Sequence, residues 1–117
     1  MKQLLTILLG IGMSFSLFAQ DWVYDLEEAK SLASKEQKQI ILVFSGSDWC
    51  APCIKLEKNI WESPEFQKAA TDNWILLKAD FPRKKKNRLS KEQTKRNELL
   101  AERYNPSGYF PLVVILN

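Results

Sequence analysis

Residues 39–53 read QIILVFSGSDWCAPC and join a predicted strand to a pair of cysteines. The apolar, partly β-branched run within residues 39–45 has no polar alternation and is too short for a typical helix, so it indicates a buried strand. A glycine and a serine then break this strand. A helix is predicted over about 54–61, with residues 50–53 at its opening and a proline in the first turn, where a missing N–H removes no hydrogen bond. The cysteines therefore lie at the N-terminus of a helix that follows a core strand.

The position of Cys50 and Cys53 has chemical consequences. Unpaired N–H groups and the positive end of the helix dipole stabilise a thiolate relative to a thiol. We therefore expect the pKa of Cys50 to lie below the free-thiol value of about 8.5. Two cysteines separated by two residues can also close a disulfide within one turn.

Other uses of a cysteine pair fit the sequence less well. A structural zinc site takes about four ligands, whereas the chain has two cysteines and no histidine. Haem attachment needs a histidine directly after the second cysteine, where this chain has Ile54. An inert structural disulfide stays an alternative, although so short a loop restricts the unfolded chain little. Redox chemistry is favoured, and it requires neither a metal nor an organic cofactor.

Several short motifs share their order with a known family. Asp-Trp-Cys-Ala-Pro-Cys at 48–53, after an apolar strand, resembles the active site of the thioredoxin superfamily. Ile-Lys-Leu-Glu at 54–57, Asp-Phe-Pro at 80–82 and Tyr-Phe-Pro at 109–111 extend the resemblance to the exported thioredoxin-like proteins of bacteria, over about residues 22–117. The resemblance implies an α/β, thioredoxin-like fold, in which helices flank a central mixed sheet in three α/β/α layers.

The same resemblance implies roles for five residues. Cys50, exposed at the helix N-terminus, would be the attacking thiolate, and the more buried Cys53 would resolve the mixed disulfide. Trp49 and Pro111 would flank the sulfurs and shape the groove for a client protein. Phe110 would supply a backbone contact to an extended client peptide. Pro111 resembles the cis-proline of the family, so a cis peptide bond is expected before it.

The N-terminal segment is typical of a secretory signal peptide. Lys2 supplies a positive charge, residues 4–18 are mostly apolar and uncharged, and Ala19 offers a cleavage point before polar residues. We expect residues 1–19 to be removed and residues 20–117 to form one thioredoxin-like domain with no stable membrane span, with an uncleaved anchor as the alternative. Export predicts an oxidising compartment such as the periplasm, where a dithiol needs a redox partner protein.

The rest of the sequence alternates between helix and strand signals. Periodic apolar residues predict a first helix over 22–38, capped by Asp25 with Glu28 as its capping-box partner. Strands 39–45 and 74–80 are expected to be parallel, because helices alternate with them along the chain. The remaining predicted elements are a short helix capped by Ser63, a helix from Ser90 to Tyr104 with Gln93 in its capping box, and a strand at 112–116.

Two departures from the family affect the expected chemistry and fold. Thioredoxins carry an aspartate in the strand before the cysteines, where this chain has Val43 and Phe44. Removal of the proton from Cys53 is then left to water, Asp48 or a partner. The family fold also continues beyond a third strand with an antiparallel strand and a helix. The fold is therefore expected to be truncated before them, which would leave the 112–116 edge open for self-association.

Residues 83–88 contain five basic residues in six. Such a run is usually a solvated loop, and the functional alternative is a docking patch for an acidic partner or an anionic membrane surface. Nucleic acid is disfavoured as a partner because no aromatic residues interleave the run and the formal net charge is only +3.

These features predict an exported thiol–disulfide oxidoreductase that exchanges disulfides with client proteins. The Ala-Pro dipeptide between the cysteines favours a reductant. The alternative is a non-enzymatic binding module of thioredoxin fold, in which the disulfide is structural and the basic run is a docking loop. A dithiol titration separates the two, because a structural disulfide has a reduction potential below about −300 mV.

Overall fold

The computed structural model describes Gly10 and residues 21–117. Apart from Gly10, the predicted signal peptide at 1–19 lies outside the described residues. Within residues 21–117 no helix combines the length and the apolar character needed to cross a membrane. The elements follow in chain order as α1 (Leu26–Glu36), β1 (Gln39–Ser45), α2 (Ala51–Leu56), a π-helical turn (Glu57–Trp61), α3 (Pro64–Asn73), β2 (Trp74–Asp80), a 3-10 turn (Lys85–Asn87), α4 (Lys91–Tyr104) and β3 (Leu112–Leu116).

The central strand of the sheet is β1, in the order β2-β1-β3. β1 and β2 run parallel, with Ser45 opposite Asp80 at their last residues, which confirms the predicted pairing. β3 is antiparallel to β1, with Val43 opposite Val113. Because β1 and β2 are parallel neighbours, the loops that follow them leave the sheet at the same end. Cys50 and the basic run lie in those two loops, and Cys53 lies in the first turn of α2.

Helices cover both faces of the sheet. Ile40, Leu42 and Phe44 of β1 belong to the core cluster that contains residues of α1 and α4. Ile41 and Val43 face the opposite way and pack with the π-helical turn and α3. Alternate residues of a strand point to opposite faces, so β1 is buried on both. This arrangement confirms the expected three-layer α/β/α architecture and the strand interpretation of the apolar run.

The first helix is shorter than predicted. Val23 forms a parallel bridge to β2, so the chain is still extended there and the predicted range of 22–38 was wrong at its start. Asp25 is the N-cap of α1 as expected. Its carboxylate accepts the N–H of Glu27 at 3.3 Å, rather than forming the predicted capping box with Glu28. The predicted caps of α3 and α4 are confirmed, since Ser63 and Ser90 accept backbone N–H groups three residues ahead. The Gln93 side chain does not complete the predicted capping box, because it binds Tyr24, Arg96 and Asn97 instead.

The helix after the cysteines begins earlier than predicted and changes its winding halfway. Cys50 is its N-cap, so α2 starts at Ala51, three residues before the predicted position. A π-helical turn then continues the helix and ends at Trp61, which was the predicted end. The Trp61 ring is buried between Phe66 and Trp22, with ring centroids at 4.8 and 5.8 Å. This aromatic contact fixes the end of the helix against the sheet.

Candidate active site

Cys50 and Cys53 form a disulfide at the start of α2, with their Cα atoms 5.2 Å apart. The sulfur of Cys50 accepts the N–H of Cys53 at 3.4 Å, which makes Cys50 a side-chain N-cap. The backbone N–H of Gly46 is directed at the sulfur of Cys53 at 3.5 Å. A donor N–H stabilises negative charge on sulfur, so each contact favours a thiolate once the disulfide is reduced.

Both cysteines are buried, with 5% of Cys50 and 3% of Cys53 exposed. The expectation of an exposed Cys50 is therefore wrong for the disulfide form. The reason is local: the Cys50 N–H donates to the Gly46 carbonyl at 2.9 Å, and the Cys50 carbonyl accepts the Ile54 N–H at 3.0 Å. The residue is thus folded into the turn that opens α2. Its N-cap position, and not its exposure, distinguishes Cys50 from Cys53.

Aromatic side chains gather around Trp49, the residue directly before Cys50. Trp49 donates its indole N–H to the Phe81 carbonyl at 2.7 Å, and its ring meets the Phe110 ring edge-on at 5.4 Å. Phe110 also contacts the Phe81 ring at 5.5 Å. The peptide bond between Phe110 and Pro111 is cis, as expected. The structure therefore brings Trp49 and Phe110, two residues singled out in the sequence, into contact.

A buried asparagine holds the turn that leads to Phe110. Asn105 is 3% exposed, and its side chain accepts the Tyr109 N–H at 2.9 Å and donates to the Tyr109 carbonyl at 2.8 Å. Gly108 has a φ of 70°, in the left-handed region that glycine adopts without a steric penalty. The role of Asn105 was not predicted, although asparagine at the start of a turn is a known signal for such a bond.

The two loops at this end of the sheet are joined by hydrogen bonds. Ser47 donates to the Asp80 carboxylate from its N–H at 3.0 Å and from its hydroxyl at 2.6 Å. Asp48 accepts the N–H groups of Arg83 and Lys84 at 2.9 and 3.0 Å. The loop after β1, which carries the cysteines, is therefore fixed to the loop after β2, which carries the basic run.

Asp48 does not take the role of proton acceptor that the sequence left open for it. The N–H of Arg83, the amide of Asn87 and the N–H of Lys84 donate to its carboxylate and lower the pKa of Asp48 from 3.8 to about 2. A carboxylate with so low a pKa is a weak base. Asp48 instead anchors the basic run, a role that no sequence pattern indicated.

A second carboxylate lies close to Cys53. Cys53, Glu57 and Lys78 line the same cavity of about 720 Å³, which opens next to α2. Lys78 pairs with Glu57 at 3.0 Å, and its ammonium lies 4.3 Å from the centre of the Trp22 ring. Glu57 follows Cys53 by four residues, a spacing that places both on one side of a helix. That spacing was the available sequence signal for Glu57, and the sequence analysis missed it.

Known proteins resemble this chain in sequence to different extents. The chain is 38% identical over 88 residues to the disulfide bond reductase DsbH of Chlamydia pneumoniae, a match that covers 75% of this chain and 52% of that protein. It is 30% identical over 88 residues to the thioredoxin-related protein DsbJ of the same organism, covering 69% of this chain and 25% of that protein. The chain thus spans about half the length of DsbH and a quarter of DsbJ.

The fold and the sequence agree with a solved structure and with a family model. The structure of a DsbH oxidoreductase superposes with a TM-score of 0.75 at 34% identity, covering 84% of this chain and 65% of that one. A family model described as thioredoxin-like matches residues 21–117. The redox-type cysteine pair, the mixed sheet and these matches agree, and the chain belongs to the thioredoxin-like family.

Proposed function

We propose that this protein is a thiol–disulfide oxidoreductase that reduces disulfides of client proteins through Cys50 and Cys53. The observation that carries this proposal is the Cys50–Cys53 disulfide at a helix N-terminus, with a backbone N–H directed at each sulfur. Such donors lower the free energy of a thiolate, which is the species that attacks and leaves in thiol–disulfide exchange. The name of the relative DsbH, a disulfide bond reductase, supports the reducing direction.

The reaction takes place in two exchanges. The Cys50 thiolate of the reduced protein attacks one sulfur of the client disulfide, and the other client sulfur leaves as a thiolate. Cys53 then loses its proton and attacks the Cys50 sulfur, which forms the Cys50–Cys53 disulfide and releases the second client thiolate. The client gains two electrons and the protein loses two, so a redox partner protein has to return them before the next cycle.

Glu57 is the acceptor that we assign to the proton of Cys53. Both residues line the same cavity, and the ion pair with Lys78 at 3.0 Å holds the Glu57 carboxylate at its wall. Lys78 is 14% exposed at its side chain and Glu57 36%, so the pair lies where the protein meets solvent. A proton taken up by Glu57 can therefore leave to water.

Client binding is assigned to Trp49, Phe110 and Pro111. The Trp49 ring, next to Cys50 in the chain, meets the Phe110 ring edge-on at 5.4 Å. Tyr109, which is 66% exposed, directly precedes Phe110 and would add to the surface that a client meets. An extended client peptide would lie along it and pair with the backbone at Phe110.

Export to the periplasm or another oxidising compartment is the proposed location. The signal pattern of residues 1–19 supports it, because the apolar stretch is preceded by a positive charge and followed by a small residue at the cleavage point. N-terminal sequencing of the protein from fractionated cells tests it. A periplasmic protein that starts at Gln20 is the expected result, whereas Met1 at the N-terminus of a membrane-bound form would establish an uncleaved anchor.

The proposed function is tested by trapping the mixed disulfide. Cys53→Ser leaves the attacking thiol without its resolving partner, so it is expected to accumulate covalent adducts with client proteins. Cys50→Ser is the matched control and should accumulate few. Adducts are counted on non-reducing gels and identified by mass spectrometry. Equal trapping by both variants would show that the assignment of the two thiols is wrong.

A redox titration separates the oxidoreductase from the binding module. An exchanging disulfide is expected to equilibrate with a dithiol buffer at a potential above about −300 mV. A disulfide that remains oxidised at more negative potentials would mean that Cys50 and Cys53 serve as a structural crosslink.

A further inference from the structure

The basic loop, defined as residues 83–88, contacts Trp49, the residue directly before Cys50. The guanidinium carbon of Arg83 lies 3.7 Å from the centre of the Trp49 ring, and Trp49 directly precedes Cys50. All six residues of the basic loop are exposed. A molecule that binds this loop is therefore next to the reacting sulfurs.

The basic loop is held in place from within the active site. Asp48 accepts the backbone N–H groups of Arg83 and Lys84 and the side-chain amide of Asn87, at 2.9 to 3.0 Å. These bonds use the backbone of Arg83 and Lys84, so the attachment does not occupy the Lys84 ammonium, and the exposed Arg83 guanidinium stays stacked on the Trp49 ring. A solvated tail has no such attachment. The loop presents its charge at a fixed position.

The charges of the basic loop lack counter-ions in the part of the chain that the structure describes. The ion pairs within residues 21–117 are Lys30–Glu27, Lys38–Glu36 and Lys78–Glu57, and none includes a residue of the loop. Asp48 offsets one of the five positive charges at most. The whole chain carries a formal charge of only +3, so the remainder of the molecule is net negative and the loop is its positive region.

We propose that the basic loop binds an acidic segment of the client protein, next to the disulfide that the client presents to Cys50. This inference rests on the proposed oxidoreductase function and adds the class of client that the site prefers. Arginine and lysine side chains bind carboxylates and steer an oppositely charged molecule, which raises the association rate more than the affinity. The preference weakens as salt rises, since exposed charges are screened.

The position of the loop favours a peptide over an anionic membrane. A bilayer bound to Arg83 would also lie over Trp49 and Cys50, because Arg83 stacks on the Trp49 ring. Clients could then not reach the disulfide. An acidic peptide can lie along the loop and still place its own disulfide at Cys50.

The test compares two peptides that contain the same disulfide. One carries three glutamates beside the disulfide, and the other carries three glutamines at the same positions. Their second-order rates of reduction by the pre-reduced protein are measured at ionic strengths of about 0.02 M and about 0.3 M. Each rate is divided by the rate with free dithiothreitol, a neutral dithiol, which removes the intrinsic difference between the peptides.

The glutamate peptide is expected to react roughly tenfold faster or more at the lower ionic strength, with most of that advantage lost at the higher one. Replacing Lys84, Lys85 and Lys86 together by glutamine is expected to bring the ratio of the two rates close to one. That variant keeps the backbone N–H of Lys84 that binds Asp48. In the control variant, glutamine replaces Lys30, Lys35 and Lys68, which are exposed on α1 and α3. This variant loses the same three positive charges, and the ratio of its two rates is expected to equal that of the original protein.

Each outcome decides the inference. Equal normalised rates for both peptides in the original protein would overturn the acidic-client inference and leave the oxidoreductase function standing. Loss of the preference in the control variant as well would mean that net charge, and not the basic loop, attracts the peptide. Reduction of neither peptide would overturn both the function and the inference. Co-sedimentation with phosphatidylserine–phosphatidylcholine vesicles that depends on the three loop lysines, without peptide selectivity, would assign the loop to a membrane surface instead.

Discussion

The indole ring of Trp49 lies against the backbone of Gly46, so closely that a Cβ on Gly46 would be 2.4 Å from the indole Cε2. This contact leaves no room for a side chain at position 46. Gly46 also directs its N–H at the sulfur of Cys53, and Trp49 binds the Phe81 carbonyl. The glycine therefore does more than end β1, because it allows the indole and the disulfide to occupy the same corner of the site.

Gly46→Ala is expected to displace Trp49 and to lower the free energy of unfolding by about 1–3 kcal/mol, the usual cost of overpacking. Denaturant unfolding followed by circular dichroism measures this change. The control is the same substitution in a Trp49→Ala background, where the added methyl group meets no indole and should cost much less. An equal cost in both backgrounds would mean that the Trp49 contact is not the source of the strain.

Reduced Cys50 is expected to titrate below the ordinary thiol value of about 8.5, because the Cys53 N–H and the helix N-terminus stabilise its thiolate. The rate of alkylation as a function of pH, measured by mass spectrometry on each cysteine, gives the midpoint. Cys53→Ser serves as the variant in which Cys50 titrates without its partner. A midpoint at or above the ordinary value would contradict the thiolate assignment.

Glu57→Gln is expected to slow the decay of the mixed disulfide roughly tenfold or more at neutral pH, because a general base is lost. The loss of rate should become smaller at about pH 9 and above, where hydroxide can take the Cys53 proton without Glu57. Stopped-flow detection of the released client thiol measures the rate. Glu65→Gln, an exposed change at the start of α3, is the control. A pH-independent deficit would indicate a structural role for Glu57.

The attachment of the basic loop is expected to withstand mild acid. The N–H of Arg83, first among its donors, holds the pKa of Asp48 at about 2, against 3.8 for the ordinary group. A lowered carboxyl pKa contributes stability that is fully present above the ordinary value and is lost as pH falls through the lowered one. The amide resonances of Arg83 and Lys84, followed by NMR, should therefore change near pH 2. A midpoint at pH 3.8 or higher would contradict the lowered pKa of Asp48. In the control variant Asp48→Asn, this pH-dependent change of the amide resonances should be absent.

Residues 20–117 are expected to self-associate through β3. Within residues 21–117 the second edge of β3 pairs with no strand, and Val113 and Ile115 are 44% and 58% exposed. Apolar edges of this kind pair with other chains. Sedimentation velocity over a range of concentrations should show association that Ile115→Lys suppresses. Leu99→Lys, a similar change at a 51% exposed position on α4, should leave it intact. A monomer at every concentration would contradict the prediction.

Most of the secondary structure could be predicted from short sequence patterns. The apolar run of β1 and the Cys-Ala-Pro-Cys segment each determine their structure within a few residues, so the strand, the helix and their connection could be predicted. Helix ends were less accurate where a distant contact decided them. Val23 pairs with Leu77 of β2, more than fifty residues further along the chain. No sequence pattern near residue 22 indicates that distant partner, so the start of α1 was predicted too early.

The electrostatic parts of the site depend on contacts between distant residues. Asp48 binds the backbone of Arg83, 35 residues further along the chain, and any residue type offers the same N–H there. Lys78 becomes the partner of Glu57 only after β2 is placed beside β1, 21 residues from the carboxylate. Neither amino-acid composition nor hydrophobic periodicity indicates which distant residues will pair. These contacts could therefore be identified only from the three-dimensional structure.

Three consecutive residues bind the end of β2 and the chain after it. Ser47 binds Asp80, the last residue of β2, whereas Asp48 binds Arg83 and Trp49 binds Phe81. Moving the basic loop into another thioredoxin-like protein would therefore require grafting this tripeptide with it. The loop alone would arrive without its attachments, and the tripeptide alone would face a loop that it does not fit. For protein engineering, the two segments form one transferable cassette, although α2, α3 and β2 separate them in the chain.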